Sequence, residues 1–251
     1  MITVNIIGSG NVATHLIATI LQENEFVIQK VYARRAYMLE GLLSFSKITS
    51  RIEELEPADI TIISVSDDAI AEVSSQLPYS NQFVVHTSGS SDISVIDSKN
   101  NAGVLYPLQT FSKTKKINFK EVPLCIESAK MPNLILLKKV AALLSDKVYI
   151  ISSEQRRSIH VAAVYASNFV NHMYHLAHDI CTEKNIPFEI LMPLIQETAQ
   201  KIKTLSPKDA QTGPAKRQDK KTILSHLEVI NQPLQKEIYT LLTNSIIKSN
   251  V

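Results

Sequence analysis

Residues 2–13 have the sequence ITVNIIGSGNVA, in which a run rich in β-branched residues leads directly into two closely spaced glycines. Such a run predicts a buried strand, and the residues from Asn11 onward predict a helix. Gly8 would allow a tight turn, Gly10 would let a pyrophosphate approach the backbone, and Ala13 would let the helix pack closely on the strand. The stretch therefore predicts a dinucleotide site at a helix N-terminus. The alternative is a tight turn in a flavodoxin-like sheet without a ligand.

The composition of the chain argues against some classes of protein. Only six of the 251 residues are glycine, where an average composition would give about seventeen. Lysine and arginine total 26 against 24 acidic residues, and this balance argues against a nucleic-acid-binding protein. Hydrophobic residues make up 45% and charged residues 20% of the chain, which excludes wholesale disorder.

The cysteines and the N-terminal residues bear on the compartment. Cys125 and Cys181 are too few for a disulfide framework and lack metal-ligand spacing, so they fit a reducing compartment. The chain starts without a basic leader, and no apolar run approaches the ~18 residues of a membrane span. We expect a cytoplasmic globular protein that binds neither membrane nor nucleic acid.

The first half of the chain alternates β-branched runs with helical stretches, which predicts a mostly parallel, doubly wound α/β sheet. Strands are predicted at 2–7, 26–32, 59–65, 82–86, 103–106, 122–126 and 147–151. Helices are predicted between them at 11–22, 36–45, 67–76 and 132–145. After residue 151 only helices are predicted, at 154–184 with Ser153 as N-cap, then at 188–204, 219–229 and 234–249. We expect a sheet domain over residues 1–152 and an all-α domain over 153–251.

The residues after the second strand indicate which dinucleotide is bound. An NAD site would place Asp or Glu there to accept a hydrogen bond from the ribose 2′-hydroxyl. This chain instead has Arg34 and Arg35, whose guanidinium groups suit a 2′-phosphate. NADP(H) is therefore favoured over NAD(H), and also over S-adenosylmethionine, whose site would prefer an acidic residue there. The alternative is a solvated basic turn.

Polar residues also follow the next two strands of the predicted parallel sheet. Val65 and Ser66 end one strand, and His86 and Ser88 lie at the end of the next. The carboxyl edge of such a sheet is where ligands bind. We assign Val65, Ser66 and Ser88 to the cofactor, although Ser66 and Asp67 also fit helix caps. His86 is either an acid or base, or a histidine hydrogen-bonded within the strand–loop junction.

Several separated motifs carry a family resemblance. They are the Gly8–Ala13 fingerprint, HTSG at 86–89, PLQTF at 107–111, and TGP at 212–214 followed by R-x-D-x-x-T-x-x-x-H at 217–226. Over essentially the whole chain, they resemble bacterial Rossmann-like proteins with a C-terminal domain of unknown function. Such proteins are described as NADP-dependent oxidoreductases and are similar in fold to pyrroline-5-carboxylate reductase and, more distantly, to β-hydroxyacid dehydrogenases. The resemblance implies a C-terminal half like that of 6-phosphogluconate dehydrogenase. Family members typically have His where this chain has Tyr106.

The long predicted helix carries one set of substrate candidates. At ~100° per residue, His160, Ser167, Asn171 and His178 point in nearly one direction. With Asn168 they either line a substrate cleft or form a solvated face. The resemblance implies a Lys four residues before Asn171, as in β-hydroxyacid dehydrogenases, but Ser167 occupies that position. Hydride transfer to a protonated iminium depends less on a proton donated by the protein. The comparison with imine reductases is therefore stronger than that with β-hydroxyacid dehydrogenases.

The same helix contains His172, His175 and His178. At this spacing the three rings span about 120° of the helix. Because no nearby Cys or H-E-x-x-H pattern completes a ligand set, we expect no metal site.

The loop after Gly213 supplies a second set of substrate candidates. Arg217 precedes a predicted helix N-terminus and could hold a carboxylate. Asp219, Thr222 and His226 fall on one face of that helix at i, i+3 and i+7. Alternatively, Asp219 is an N-cap and the loop is a basic surface.

Together these features predict an NADP(H)-dependent oxidoreductase that moves a hydride to or from a small anionic substrate, an imine or an oxo or hydroxy acid. The alternative is a non-catalytic NADP(H)-binding sensor. By resemblance to the reductases, we expect a homodimer through the helical domain. The predicted cofactor residues are Gly8, Ser9, Gly10, Asn11, Val12, Arg34, Arg35, Val65, Ser66 and Ser88. The predicted substrate residues are Gln109, Ser167, Asn171, Arg217 and Thr222, and the predicted catalytic residues are His86, Asn168, Asp219 and His226.

Overall fold

Eight strands form one sheet in the order β3-β2-β1-β4-β5-β6-β7-β8 in a computed structural model that describes residues 1–249. The strands are β1 Ile2–Ile7, β2 Phe26–Tyr32, β3 Ile48–Thr49, β4 Ile60–Ile63, β5 Phe83–His86, β6 Asn101–Pro107, β7 Leu124–Ser128 and β8 Val148–Ile150. All neighbouring strands are parallel except β6 and β7. The order reverses at β1 and β4, and the crevice at such a reversal is where doubly wound sheets bind ligands. The predicted Rossmann-like fold class is confirmed.

Helices connect the strands and make up the rest of the chain. They are α1 Asn11–Ile20, α2 Ile70–Ser75, α3 Met131–Leu144, α4 Ser153–Ala163, α5 Val170–Glu183, α6 Met192–Lys201, α7 Pro207–Ala210, α8 Lys220–Val229 and α9 Pro233–Ser249. A π-helical segment, Val164–Phe169, joins α4 to α5, so the long predicted helix is continuous but not uniformly α. A constant 100° per residue therefore does not hold through this segment, and the shared face predicted from it is not supported.

The structure differs from the predictions over residues 36–49 and at the start of α4. The segment predicted as a helix at 36–45 has only a 3₁₀ turn at Ala36–Leu39, and Gly41 in its middle would cost about 1 kcal/mol in a helix. Strand β3 follows instead, and its two residues are too few to give a periodic signal. The N-cap of α4 is Ser152 rather than Ser153, because Ser152 and Gln155 form a reciprocal capping box.

Apolar residues fill both faces of the sheet. Ile6 and Ile62 pack with Leu16 of α1 in the larger cluster, whereas Ile7 and Ile63 point to the opposite face and pack with other buried residues. Alternation along β1 and β4 thus places successive side chains on opposite sides. Each fully buried aliphatic side chain stabilises the fold by about 1.5–3 kcal/mol.

The chain divides into two compact units, Met1–Ser167 and the residues from Asn168 onward. The first unit contains the sheet and also includes α4. The predicted boundary at residue 152 was placed where the last strand ends, so the unit extends beyond it. The second unit is helical. Within residues 1–249, no helix is both long enough and apolar enough to span a membrane.

Candidate functional site

A cleft of about 980 Å³ opens in the sheet unit, lined by residues at the carboxyl ends of β1, β2, β4 and β5. This is the switch-point crevice expected for a dinucleotide. The cleft brings together every residue predicted to bind the cofactor, and Gln109 of the predicted substrate set. These residues are Gly8, Ser9, Gly10, Asn11, Val12, Arg34, Arg35, Val65, Ser66, Ser88 and Gln109.

The two glycines of the fingerprint are required for different reasons. Gly8 has a φ of 132°, and a Cβ there would collide with the carbonyl oxygen of Ser64 on the adjoining chain segment. Gly10 has an ordinary φ of −75°, and a Cβ there would meet nothing within 4 Å. Gly8 is therefore needed for the fold of the turn, whereas Gly10 leaves its side of the turn open.

The start of α1 is suited to an anion. Gly10 is the N-cap, no side chain caps the helix, and the first turn carries no acidic residue. The first N–H groups of an α-helix lack intrahelical partners and carry partial positive charge. Because Asn11 and Val12 line the cleft, this end of α1 fits the pyrophosphate of a dinucleotide.

Arg34 and Arg35 lie on the rim of the cleft after the end of β2. Both are exposed, and neither forms an ion pair with a carboxylate anywhere in residues 1–249. Two unpaired guanidinium groups at this end of a Rossmann cleft fit the 2′-phosphate of NADP(H).

The loop after β5 is held by its own serines. The hydroxyl of Ser88 accepts hydrogen bonds from the backbone N–H groups of Ser90 and Ser91, at 3.1 and 2.9 Å. The hydroxyl of Ser90 donates to Asp67 at 2.5 Å. Ser66 occupies the N-cap of a 3₁₀ turn but makes no side-chain capping bond. Of the two roles considered for Ser66, the structure therefore does not support a side-chain cap.

His86 does not reach the cleft, and its predicted acid or base role is withdrawn. Its side chain is fully buried, and its Nδ1 accepts a hydrogen bond from the backbone N–H of Ser88 at 3.2 Å. Burial, and then the charge of Arg156, lower its pKa to about 4, against a smaller opposing effect of the Asp92 backbone. The ring is therefore neutral near pH 7 and is not an acid at that pH, and its burial outside the cleft lining keeps it from acting as a base on a ligand there. The hydrogen-bonded junction histidine is the reading that the geometry supports.

A buried ion pair that the sequence did not reveal lies beside His86. Arg156 of α4 is fully buried, and its guanidinium donates to Glu127 of β7 and to the carbonyl of Ser91, both at 2.5 Å. Glu127 also accepts from the backbone N–H and the hydroxyl of Ser153, at 2.9 and 2.7 Å. This network fixes the start of α4 against β7 and the loop that follows β5.

A second pair missed from the sequence lies at the cleft itself. The hydroxyl of Tyr106 on β6 and Nδ1 of His160 on α4 are 3.1 Å apart. Burial raises the pKa of Tyr106 to about 12, and His160 lines the cleft. The helix periodicity singled out His160, but no local pattern connects it to a residue 54 positions earlier in the chain.

The remaining predicted residues lie in the helical unit, except for Ser167, which is the last residue of the sheet unit. Asp219 is the N-cap of α8 and accepts from the backbone N–H and hydroxyl of Thr222, at 3.1 and 2.7 Å. These bonds lower the pKa of Asp219. His226 and Tyr239 are joined through Nδ1 and the hydroxyl at 2.8 Å. Arg217 is exposed and makes no ion pair within residues 1–249. For Asp219 the capping alternative is therefore the one that the structure shows.

The polar residues near the π-helical segment are open to solvent or half-buried. Asn168 and Asn171 are exposed, and Ser167 is half-buried, so their substrate roles stay predictions. His172, His175 and His178 are all exposed. Across the described chain, no group of three or more His, Cys, Asp or Glu is placed to hold a metal ion.

Comparisons with known proteins agree with this geometry. Residues 122–246 match a domain of unknown function, DUF2520. The chain is 38% identical to a Bacteroides fragilis protein provisionally named an NADP oxidoreductase, with a TM-score of 0.87 and 98% of both chains covered. It is 21% identical to a Thermotoga maritima protein, with a TM-score of 0.77 and 98% and 99% of the two chains covered. No curated protein matches.

A more distant likeness shows the fold alone. The 1-pyrroline-5-carboxylate reductase of Streptococcus pyogenes has a TM-score of 0.65 at 14% identity, and the match covers 99% of this chain and 98% of the reductase. At that identity the shared feature is the arrangement of the sheet and the helices.

Proposed function

The chain belongs to the family of Rossmann-like proteins that carry the DUF2520 domain, and we propose that it is an NADP(H)-dependent oxidoreductase. The observation that carries the proposal is the cleft itself, in which a glycine turn, an uncapped helix N-terminus and two unpaired arginines line one crevice. The name of the Bacteroides fragilis relative, an NADP oxidoreductase, supports the same activity.

Different residues of the cleft bind different parts of the dinucleotide. The turn from Gly8 to Val12 holds the pyrophosphate against the start of α1. Arg34 and Arg35 receive the 2′-phosphate and so select NADP(H) over NAD(H). Bound NADP(H) supplies or accepts the hydride, and the protein provides position and electrostatics.

The proposed substrate is a small anion, either an imine or an oxo or hydroxy acid. Because His86 is buried and neutral, and Ser167 stands where a β-hydroxyacid dehydrogenase has Lys, an imine fits best. Reduction of an iminium that is already protonated requires no protein acid. We propose that Arg217, which forms no salt bridge within residues 1–249, receives the substrate's carboxylate. Roles at the substrate for Asn168, Asn171, Thr222 and His226 are proposed on the sequence pattern alone, whereas Gln109 also lines the cleft.

The cofactor proposal is tested by calorimetric titration of the protein with NADPH, NADH and S-adenosylmethionine. We expect NADPH to bind most tightly, and Arg34→Ala or Arg35→Ala to weaken NADPH binding about 10-fold, since a hydrogen bond to a charged group contributes about 1.5–3 kcal/mol. The affinity for NADH should not change. Arg51→Ala is the matched control, because Arg51 is exposed and paired with Glu54 outside the cleft. Equal affinity of the wild type for NADPH and NADH would contradict the assignment.

A non-catalytic NADP(H) sensor is the second candidate, and the buried position of His86 favours it because no predicted acid of the sheet unit remains. The two functions are separated by turnover. Oxidation of NADPH with cyclic imine carboxylates or 2-oxo acids supports the enzyme. Tight NADPH binding without turnover of any member of either class supports the sensor.

We also propose that the protein is a homodimer formed through the helical unit. Large aliphatic side chains of this unit remain 62–71% exposed in the chain; they are Ile190, Leu194, Leu224, Leu234 and Leu241. Exposed apolar side chains on this scale are typical of a protein–protein contact, and a second copy of the chain is the partner to be expected by symmetry.

Sedimentation equilibrium tests the dimer. We expect twice the 28.0 kDa chain mass for the wild type and the monomer mass for Leu224→Glu/Leu241→Glu. Leu21→Glu, at a 48% exposed position of the sheet unit, should leave the dimer intact. A monomeric wild type would exclude the proposal.

The two cysteines are both free and buried, which fits the cytoplasmic location that we propose.

A further inference from the structure

The pair formed by Tyr106 and His160 is unused by the function proposed above. Both residues belong to the sheet unit, and their ring centroids lie 6.1 Å apart, edge to face. Tyr106 is 9% exposed, whereas His160 is half-buried and lines the cleft. One partner is thus fixed in the core and the other faces the space where a ligand binds.

Gly89 shows how closely the loop after β5 approaches this pair. A Cβ at Gly89 would lie 2.5 Å from Nδ1 of His160 and 2.7 Å from Cζ of Tyr106. A side chain at Gly89 would therefore require the ring of His160 or of Tyr106 to shift. Gly89 also lines the cleft, as do Thr87 and Ser88. The pair therefore borders the end of the cleft formed by the β5 loop.

The tautomer of His160 decides the direction of the hydrogen bond between the two rings. Burial raises the pKa of Tyr106 to about 12, so its hydroxyl keeps its proton near pH 7. Within residues 1–249, Nδ1 of His160 is the hydroxyl's hydrogen-bond partner, and a buried hydroxyl left without a partner is costly. When Tyr106 donates to Nδ1, the neutral ring of His160 must carry its own proton on Nε2.

The other ring nitrogen is available to a ligand. No residue of the described chain contacts Nε2 of His160 through a hydrogen bond, and the ring lies on the cleft wall. If the arginines after β2 take the 2′-phosphate and the turn at Gly8 takes the pyrophosphate, the dinucleotide extends toward the β5 loop. Its nicotinamide half then reaches the end bordered by Gly89 and His160.

We propose that His160 is a positioning residue for the nicotinamide, held by Tyr106 as the Nε2–H tautomer so that it donates a hydrogen bond to the carboxamide oxygen. This role rests on the proposed binding of NADP(H). The hydrogen bond would orient the ring for hydride transfer without a proton being exchanged.

Ring-nitrogen NMR of the full chain, labelled with ¹⁵N-histidine, tests the tautomer, and His160→Gln assigns the signal. We expect Nδ1 of His160 to be pyridine-like and Nε2 pyrrole-like. Tyr106→Phe removes one hydrogen bond worth ~1 kcal/mol, so the ratio of the two tautomers should change about 5-fold. Tyr239→Phe is the control, because it should move the signal of His226 and leave that of His160 unchanged. A proton on Nδ1 of neutral His160 would overturn the proposal.

Two ligands test the contact itself: NADP⁺, and 2′-phospho-ADP-ribose, which lacks the nicotinamide. NADP⁺ should shift the Nε2 signal of His160, and 2′-phospho-ADP-ribose should not. His160→Gln should weaken NADP⁺ binding about 5-fold, since a neutral hydrogen bond contributes ~1 kcal/mol, and leave 2′-phospho-ADP-ribose binding unchanged.

The outcomes separate this role from the proposed function. If calorimetry shows that NADP⁺ binds while the His160 signal stays still, or if both ligands move it equally, the nicotinamide contact is wrong and the cofactor site stands. If neither ligand binds, the cofactor site fails, and the role of His160 fails with it.

Discussion

The sheet unit closes its own core, whereas the helical unit does not. Fully buried aliphatic residues cover both faces of the sheet. From Asn168 to Ser249, the hydrophobic residues that are buried are Cys181, Ala215 and Ile230. The sheet unit therefore has its own packed frame around the cleft, whereas the exposed apolar side chains of the helical unit fit the homodimer that we propose.

The ionisable groups of the two units differ in the same way. Arg156 and His86 of the sheet unit are fully buried, whereas His226 of the helical unit is exposed and Asp219 is only partly covered. Buried charges and buried neutral histidines couple strongly to folding, and exposed ones couple weakly. Substitutions of the buried groups in the sheet unit should therefore lower the free energy of unfolding more than substitutions of the groups in the helical unit.

The largest effect is expected at the buried ion pair. Glu127→Gln leaves the guanidinium of Arg156 buried without its carboxylate, and such a loss costs about 3–5 kcal/mol. Urea unfolding measures it. Glu54→Gln removes the same charge from an exposed pair with Arg51 and should cost less than about 1 kcal/mol. Equal losses of stability in the two variants would show that burial of the Glu127–Arg156 pair does not increase its contribution to stability.

The next effect is a dependence of stability on pH. The pKa of His86 is about 4 in the folded chain, against an ordinary value of 6.5, so the unfolded chain takes up the proton first as the pH falls. Stability from this group is complete above pH 6.5 and is lost progressively down to about pH 4. The loss amounts to about 3 kcal/mol.

Unfolding of His86→Gln between pH 7 and pH 4 isolates this contribution. The variant should lack the corresponding part of the pH slope, whereas His226→Gln, at an exposed position, should keep it. An unchanged slope in His86→Gln would mean that the histidine ionises freely and that its burial has been misjudged.

The smallest effect is expected at the cap of α8. Asp219→Ala removes an N-cap and should cost about 1 kcal/mol, while Asp219→Asn keeps a capping oxygen and should cost almost nothing. Thermal unfolding of the two variants gives the difference. Turnover of Asp219→Asn then separates the cap from the predicted catalytic role, because loss of activity at unchanged stability would require the carboxylate itself.

The sequence predictions were most accurate for elements that depend on residues close together in the chain. The bounds of β1 and β2 were predicted correctly because long β-branched runs define them. The cofactor residues were found to line one cleft because they follow the carboxyl ends of neighbouring parallel strands, which meet at one edge of the sheet. Strand β3 was missed because its two residues depend on pairing with β2.

The residues that the sequence could not identify depend on contacts between distant segments. Tyr106 meets His160, and Glu127 meets Arg156, only after β6, β7 and α4 have packed together. The sequence left two roles open for His86 for the same reason, since its position at a strand end says nothing about what covers the ring. Local patterns predict which elements form, but packing decides which polar side chains are buried and which reach the cleft.

Hydrogen–deuterium exchange of the full chain, with NADPH or NADH at equal subsaturating concentration, is the most direct test of the cofactor cleft. The structure predicts that NADPH protects the backbone amides of residues 8–12, at the turn and the start of α1, and those of Arg34 and Arg35. NADH should protect these amides less. Absence of protection at residues 8–12, or equal protection by the two dinucleotides, would contradict an NADP(H) site at this edge of the sheet.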